Sequence, residues 1–207
     1  MSFSRVVRSP EQARTALADP GDALDLRAHA ALDEQWTALG FTELAPGELV
    51  RPLEVVLATP ADTHALGVRL AAHLCAGDLV VLSGPLGAGK TALTQGIGAG
   101  LGVQGAVTSP TFVLARVHRG PVPLVHVDAY RLRGATGPVH LDDLDLDEEL
   151  PRSVTVVEWG EGVVDELASS RLQVMLGRGV GTNRTGTDHR TARVVCHGPR
   201  WVVVQAH

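Results

Sequence analysis

Lysine is almost absent from this chain: of 18 lysine and arginine residues among 207, a single one, Lys90, is lysine. Aromatic residues make up only 3%, so a tryptophan or tyrosine beside a polar motif is more informative than usual. There are two cysteines, Cys75 and Cys196. They lack metal-ligand spacing, which argues against a zinc site or a disulfide framework and predicts two buried thiols. No apolar run approaches the roughly 20 residues of a membrane span, and the N-terminus lacks the basic-then-apolar pattern of an export signal. The chain is accordingly read as cytoplasmic, with no membrane partner. A net charge of −5 argues against a broad basic surface that binds nucleic acid unaided, while leaving room for action on nucleic acid through partner proteins. What is present is 44% hydrophobic residues, enough for one sizeable core and a small appendage.

The lone lysine stands in Gly84-Pro85-Leu86-Gly87-Ala88-Gly89-Lys90-Thr91, directly after the apolar run Leu79-Val80-Val81-Leu82. A strand delivering a glycine-rich turn that ends in Lys-Thr at a helix start is the pattern of a phosphate-binding loop. A compact ammonium on a flexible stem reaches between β- and γ-phosphate oxygens where a planar guanidinium is too wide. Gly84, Leu86, Gly87, Ala88, Gly89, Lys90, Thr91 and Ala92 are therefore the candidate nucleotide-binding residues, with the Thr91 hydroxyl a candidate Mg²⁺ ligand.

Residues 1–50 differ from the remainder, with eight acidic residues against four arginines, no strong strand, and a turn signal at Asp19-Pro20-Gly21-Asp22. Short helices over 10–18 and 23–38 are expected there, and the segment is read as an extension of unknown role preceding a domain over 51–207. That domain opens with a strand over 53–58. Thr59-Pro60-Ala61-Asp62 then supplies an N-cap, a proline at the first helical position and an acid at the third. The helix over 60–75 buries Leu66, Leu70 and Leu74, and Thr63 at its entrance is a capping residue or a contact to the base. The helix over 90–101 carries Gly96, Gly98 and Gly100, expected to pack closely against a sheet. Thr108-Ser109-Pro110-Thr111-Phe112 resembles in position a loop that senses the γ-phosphate, so Thr111 is a candidate there. Strands follow over 112–117 and 122–127, the second antiparallel to the first and ending in Asp128, a candidate Mg²⁺ ligand.

The run from Leu141 to Leu150 holds six acids and reads first as a solvated amphipathic helix and second as a docking site for a basic partner. Val154 to Val157 forms a further strand ending in Glu158 and Trp159. Carboxyl ends of parallel strands present ligand-binding groups, so Glu158 is placed to activate the attacking water or to hold a metal-bound one, and Trp159 to pack on base or ribose. A short helix over 163–169, strands over 171–176, 191–196 and 201–205, and a Gly/Thr-rich loop over 177–190 complete the pattern. The fold class is α/β: a P-loop NTPase with a mixed central sheet flanked by helices, C-terminal antiparallel strands and an N-terminal extension.

The phosphate loop, Ser109-Pro110-Thr111-Phe112, the segment from His126 to Leu132 and Val156-Val157-Glu158-Trp159 together resemble the bacterial TsaE (YjeE) family over residues 53–205. That resemblance implies the ATPase component of the machinery that makes N6-threonylcarbamoyladenosine at position 37 of tRNA. Such a component acts with a TsaB–TsaD pair and meets tRNA only through that complex. It further implies ATP and Mg²⁺ as cofactors, phosphate contacts from Lys90 and the backbone of Gly87 to Gly89, Mg²⁺ held by Thr91, Asp128 and Glu158, and Thr63 near the adenine. Catalysis falls to Lys90 and Glu158. Ala129, Asp145 and Glu149 depart from the family pattern. Two rivals remain at this level. A small-molecule kinase would need a lid with arginines, for which Arg131 and Arg133 are available but no lid segment follows. A nucleotide-dependent scaffold would bind ATP without turnover. A GTPase is disfavoured further, since its guanine-reading motif needs a second lysine.

Overall fold

The computed structural model describes residues 4–18, 25–29, 33–35, 42–46, 48–110, 114–130, 149–160, 170–178 and 189–201. Its strands are β1 Ser4–Val6, β2 Asp25–His29, β3 Thr42–Ala45, β4 Glu48–Leu57, β5 Leu79–Ser83, β6 Ala115–His118, β7 Leu124–Asp128, β8 Val154–Glu158, β9 Arg171–Arg178 and β10 Arg190–His197. The helices are α1 Pro10–Ala18, α2 Pro60–Ala71 and α3 Lys90–Leu101. The strands form one sheet in the order β1-β2-β4-β10-β9-β5-β8-β7-β6, with β3 also paired to β4.

At its centre β9, β5, β8 and β7 run parallel. Every residue of β5, β7 and β8 is buried, as expected for parallel strands covered on both faces, whose sequences read as continuous apolar runs. β6 and β10 flank this block antiparallel. Alternation along β5 sends Val80 and Leu82 into a core shared with Leu66 and Leu70 of α2 and Leu93 and Ile97 of α3. Leu79 and Val81 join Val125, Val127, Ala129 and Val157 on the opposite face.

Thr59 caps α2 in a reciprocal box: its side chain accepts from the Asp62 amide, and the Asp62 carboxylate accepts from the Thr59 amide at 2.8 Å. The glycines of α3 differ from expectation. Gly96 and Gly100 face α2, not the sheet: a Cβ on Gly96 would lie 2.0 Å from the His64 carbonyl oxygen, and one on Gly100 2.5 Å from the Ala71 Cβ. Only Gly98 turns toward the sheet side, where Val107, Val103 and Leu124 crowd it. The spacing of four places Gly96 and Gly100 on one helical face, and that face meets a second helix.

Further expectations are corrected. The first fifty residues do contain strands. Asp25–His29, expected as helix, is β2, because its polar and apolar residues alternate and the Glu48–Pro52 half of β4 offers it a ladder. The domain-opening strand starts earlier than 53, since β4 pairs with β2 and β3 before handing over to β10 at Leu53. Cys75 is exposed, its Sγ 3.2 Å from Arg200 Nη2, whereas Cys196 is buried. Trp201 belongs to a short 3-10 turn, Pro199–Trp201, and is fully buried instead of opening a strand. Of the strand expected over 112–117, Ala115–His118 is β6 and Leu114 ahead of it has φ +63°. Residues 111–113 with Thr111, the helix expected over 163–169, most of the acidic run, most of the loop over 177–190 and the rest of the strand expected over 201–205 lie outside the described residues. Among the described residues no helix is long and apolar enough to cross a membrane.

Candidate nucleotide site

The site forms where β5, β7 and β8 end at the same sheet edge. The loop from Gly84 to Gly89 leaves β5 and turns into α3. Gly84 has φ +130° and sits so close to β9 that a Cβ would lie 2.1 Å from the Leu176 carbonyl oxygen; Gly89 caps α3 at φ +105°. Side chains are strained at both positions, so the glycines shape a loop that presents the amino end of α3 to the cleft. The cleft, about 270 Å³, is lined by Leu86, Gly87, Gly89, Lys90, Thr91, Ala92, Ser109, Asp128, Glu158 and Trp159. Gly84 and Ala88 lie behind this lining; Ala88 is fully buried in the core.

Lys90 is buried, and its ammonium donates to the carbonyls of Gly84 at 2.8 Å and Pro85 at 3.1 Å while lying 3.5 Å from the centre of the Trp159 ring. Burial pushes its pKa down, opposed by the negative charges of Glu158 and Asp128. The loop's own carbonyls and an aromatic face are weak compensation for a desolvated cation, and an anion delivered to this loop would improve it.

Asp128 and Glu158 lie opposite each other in the β7–β8 ladder and are both buried. Asp128 accepts from the Ser109 hydroxyl at 3.1 Å and the Tyr130 amide at 3.1 Å. Glu158 accepts from the Thr91 hydroxyl at 3.3 Å and contacts His126 Nε2 at 2.9 Å; a carboxylate only accepts, so Nε2 is the donor. Thr94 Oγ1 lies 3.0 Å from the Lys90 carbonyl and 3.4 Å from Glu158 Oε1, and its one proton favours the shorter bond. Trp159, at φ +63°, packs on Tyr130 with ring centres 5.2 Å apart. Thr63 is fully buried behind the loop, its methyl 3.3 Å from the position a Cβ on Gly89 would take.

A family model described as "Threonylcarbamoyl adenosine biosynthesis protein TsaE" matches residues 57–185. The chain belongs to the TsaE family. It is 60% identical over 140 residues to the Streptomyces coelicolor protein named tRNA threonylcarbamoyladenosine biosynthesis protein TsaE, covering 66% of this chain and 91% of that one. It is 55% identical over 124 residues to the Mycobacterium tuberculosis protein of the same name, covering 56% and 74%. The crystal structure of Bacillus subtilis YdiB superposes with a TM-score of 0.57 at 31% identity, covering 72% of this chain and 88% of that one. The fold of this TsaE chain is that of a P-loop NTPase.

The structure gathers Lys90, Thr91, Asp128, Glu158 and Trp159 at one cleft. The sequence assigns no role to Thr94, nor to His126 and Tyr130 beyond their place in the segment that resembles the family. His126 had a usable signal: it precedes Asp128 by two residues in a strand and so shares its side of the sheet. Thr94 follows Lys90 by four residues, one helical turn into α3. Tyr130 had one too: it is the single tyrosine of the chain and follows Asp128 by two residues.

Proposed function

We propose that this chain is the ATP-hydrolysing subunit that supports threonylcarbamoyl modification of adenosine 37 in tRNA, acting with a TsaB–TsaD pair that performs the transfer. Residues 51–207 carry the activity and residues 1–50 form an extension. The observation that carries the reading is the meeting of Lys90, Thr91, Asp128 and Glu158 at one sheet edge in a chain of the TsaE family.

The residues fit a magnesium nucleotide. Lys90 and the loop amides supply positive potential for phosphates. Among the described residues no group of three His, Cys, Asp or Glu side chains forms a complete metal cage. Magnesium characteristically takes one or two carboxylates plus substrate phosphates, and Thr91, Asp128 and Glu158 offer a hydroxyl and two carboxylates. When bound, the ion supplies charge neutralisation to the phosphates and the leaving oxygen. Lys90 exchanges its two carbonyl partners for phosphate oxygens. Asp128, held by Ser109 and the Tyr130 amide, keeps its geometry with little side-chain freedom to lose. Glu158, fixed through one oxygen by His126, directs the other toward Thr91 and the cleft, where it orients water and accepts its proton. Trp159 covers the ammonium and excludes solvent from it.

The net charge of −5 accords with contact to tRNA through the partner proteins. The deciding experiment is reconstitution of tRNA threonylcarbamoylation with TsaB, TsaD and this chain, scored for multiple turnovers. Omission of the chain, or Lys90→Ala, is expected to hold product near one equivalent per transferase. Undiminished turnover in either case would refute the assignment, and a phosphorylated metabolite formed by the chain alone would point to a kinase.

A further inference from the structure

Two arginines outside the cleft lining stand on the far side of the phosphate loop. The buried row Leu172, Val174, Leu176 of β9 continues at period two to Arg178, and the row Cys196, Val194, Ala192 of β10 continues to Arg190. Because β9 runs parallel to β5 and β10 antiparallel to β9, the end of one strand and the start of the other meet at the edge where β5 releases the loop. Arg178 and Arg190 are direct partners in that ladder, and like charges directly opposite each other are unfavourable. Arg178 Nη2 donates to the Leu86 carbonyl at 3.2 Å and lies 3.2 Å from where a Cβ on Gly87 would be; Arg190 Nη1 lies 3.7 Å from the same point on Gly89. Neither guanidinium has a carboxylate partner among the described residues. Two planar cationic groups set side by side against a phosphate loop point to a ligand lying across it.

Sheet order says which part of the ligand. The carboxylates come from β8 and β7 on one side of β5, and the arginines from β9 and β10 on the other. A nucleotide lying across the loop with its terminal phosphate and metal at Asp128 and Glu158 extends its nucleoside half toward β9 and β10. Resting on the nucleotide reading above, we propose that Arg178 and Arg190 wall the nucleoside half of the site, their guanidinium planes packing on the base. Trp159 is left to the terminal-phosphate side. A planar, weakly hydrated guanidinium stacks on aromatic faces where an ammonium does not, which accords with arginine at both positions.

Calorimetric titration of the full chain with ADP and with inorganic tripolyphosphate, which has no base, separates the possibilities. Arg178→Gln/Arg190→Gln is expected to weaken ADP at least tenfold and leave tripolyphosphate within about threefold. Arg178→Lys/Arg190→Lys, which restores charge but not the plane, is expected to remain weak for ADP. Unchanged ADP binding in the Gln pair, equal weakening of both ligands, or recovery in the Lys pair would each overturn the assignment. If the double variants fail to fold, Arg190→Lys alone gives the same comparison, since it leaves the Arg178–Leu86 bond in place. Lys90→Ala is expected to lose both ligands. A wild-type chain that bound neither would remove the nucleotide reading itself, an outcome distinct from ADP binding that ignores the arginines.

Discussion

Glu158 has a divided set of partners, His126 on Oε1 and Thr91 on Oε2. Glu158→Gln keeps the side chain's size but cannot take a proton from water. ATP turnover is expected to fall by about 10²–10⁴-fold, the usual contribution of a general base, with ADP affinity kept within about threefold. Normal turnover measured by phosphate release would assign hydrolysis elsewhere, and a scaffold that never hydrolyses would show no difference from wild type. His118 gives a pH dependence. Its pKa is lowered by burial, with further lowering from His126 and Arg116. The unfolded chain therefore holds a proton on this residue over a range just below the unperturbed 6.5 where the folded chain does not, and stability rises with pH across that range. Urea unfolding at pH 5 and pH 7 is expected to show this rise, and His118→Leu to flatten it. An unchanged slope in the variant would assign the dependence to other groups.

At the scale of the element, the α2–α3 crossing and the cap of α2 set the position of the loop. Gly67 and Gly96 bring the helices together: a Cβ on Gly67 would lie 2.3 Å from the Leu93 carbonyl oxygen. Gly96→Ala forces apart two backbones and is expected to cost about 1–3 kcal/mol, the range for overpacking, whereas Thr59→Ala removes one half of the capping box at about 1 kcal/mol. Denaturant midpoints rank the two, and a Gly96→Ala protein as stable as wild type would mean the crossing adjusts freely. The helices illustrate what the sequence carried. α3 is legible to the residue because its start is written locally, in a loop that forces the turn and a lysine at the first position. α2 is legible through its cap. β5, β7 and β8 are legible because strands buried on both faces leave unbroken runs of Val and Leu, and their ends located Asp128 and Glu158. β2 was misread because five residues of modest propensity become a strand only by pairing with β4, a non-local event. The faces of Gly96 and Gly100 were misassigned because helical spacing states that they share a face without saying what it meets. The arginines at positions 178 and 190 gained meaning only once the β9–β10 register put them side by side.

For the whole molecule, the question is whether the N-terminal segment and the nucleotide site depend on one another. The sheet runs unbroken from one to the other, with β4 as the shared strand: its first half pairs with β2 and β3, its second with β10. Pro52, which has no amide proton to donate, lies at the handover, paired with Asp25. Between the edge of β4 and the loop strand β5 stand β10 and β9, so removal of residues 1–50 leaves the cleft walls and both flanking strands of β5 in place. It also takes away Val50, which is 2% exposed, and strips the β2 ladder from Arg51 and Pro52, and exposed strand edges invite association. A chain starting at Arg51 is therefore expected to bind ADP within about twofold of the full chain while melting at a lower temperature and self-associating more readily. Calorimetry, thermal unfolding and sedimentation test the three parts. Loss of ADP binding by a truncated chain that remains folded would show that the first fifty residues belong to the nucleotide site.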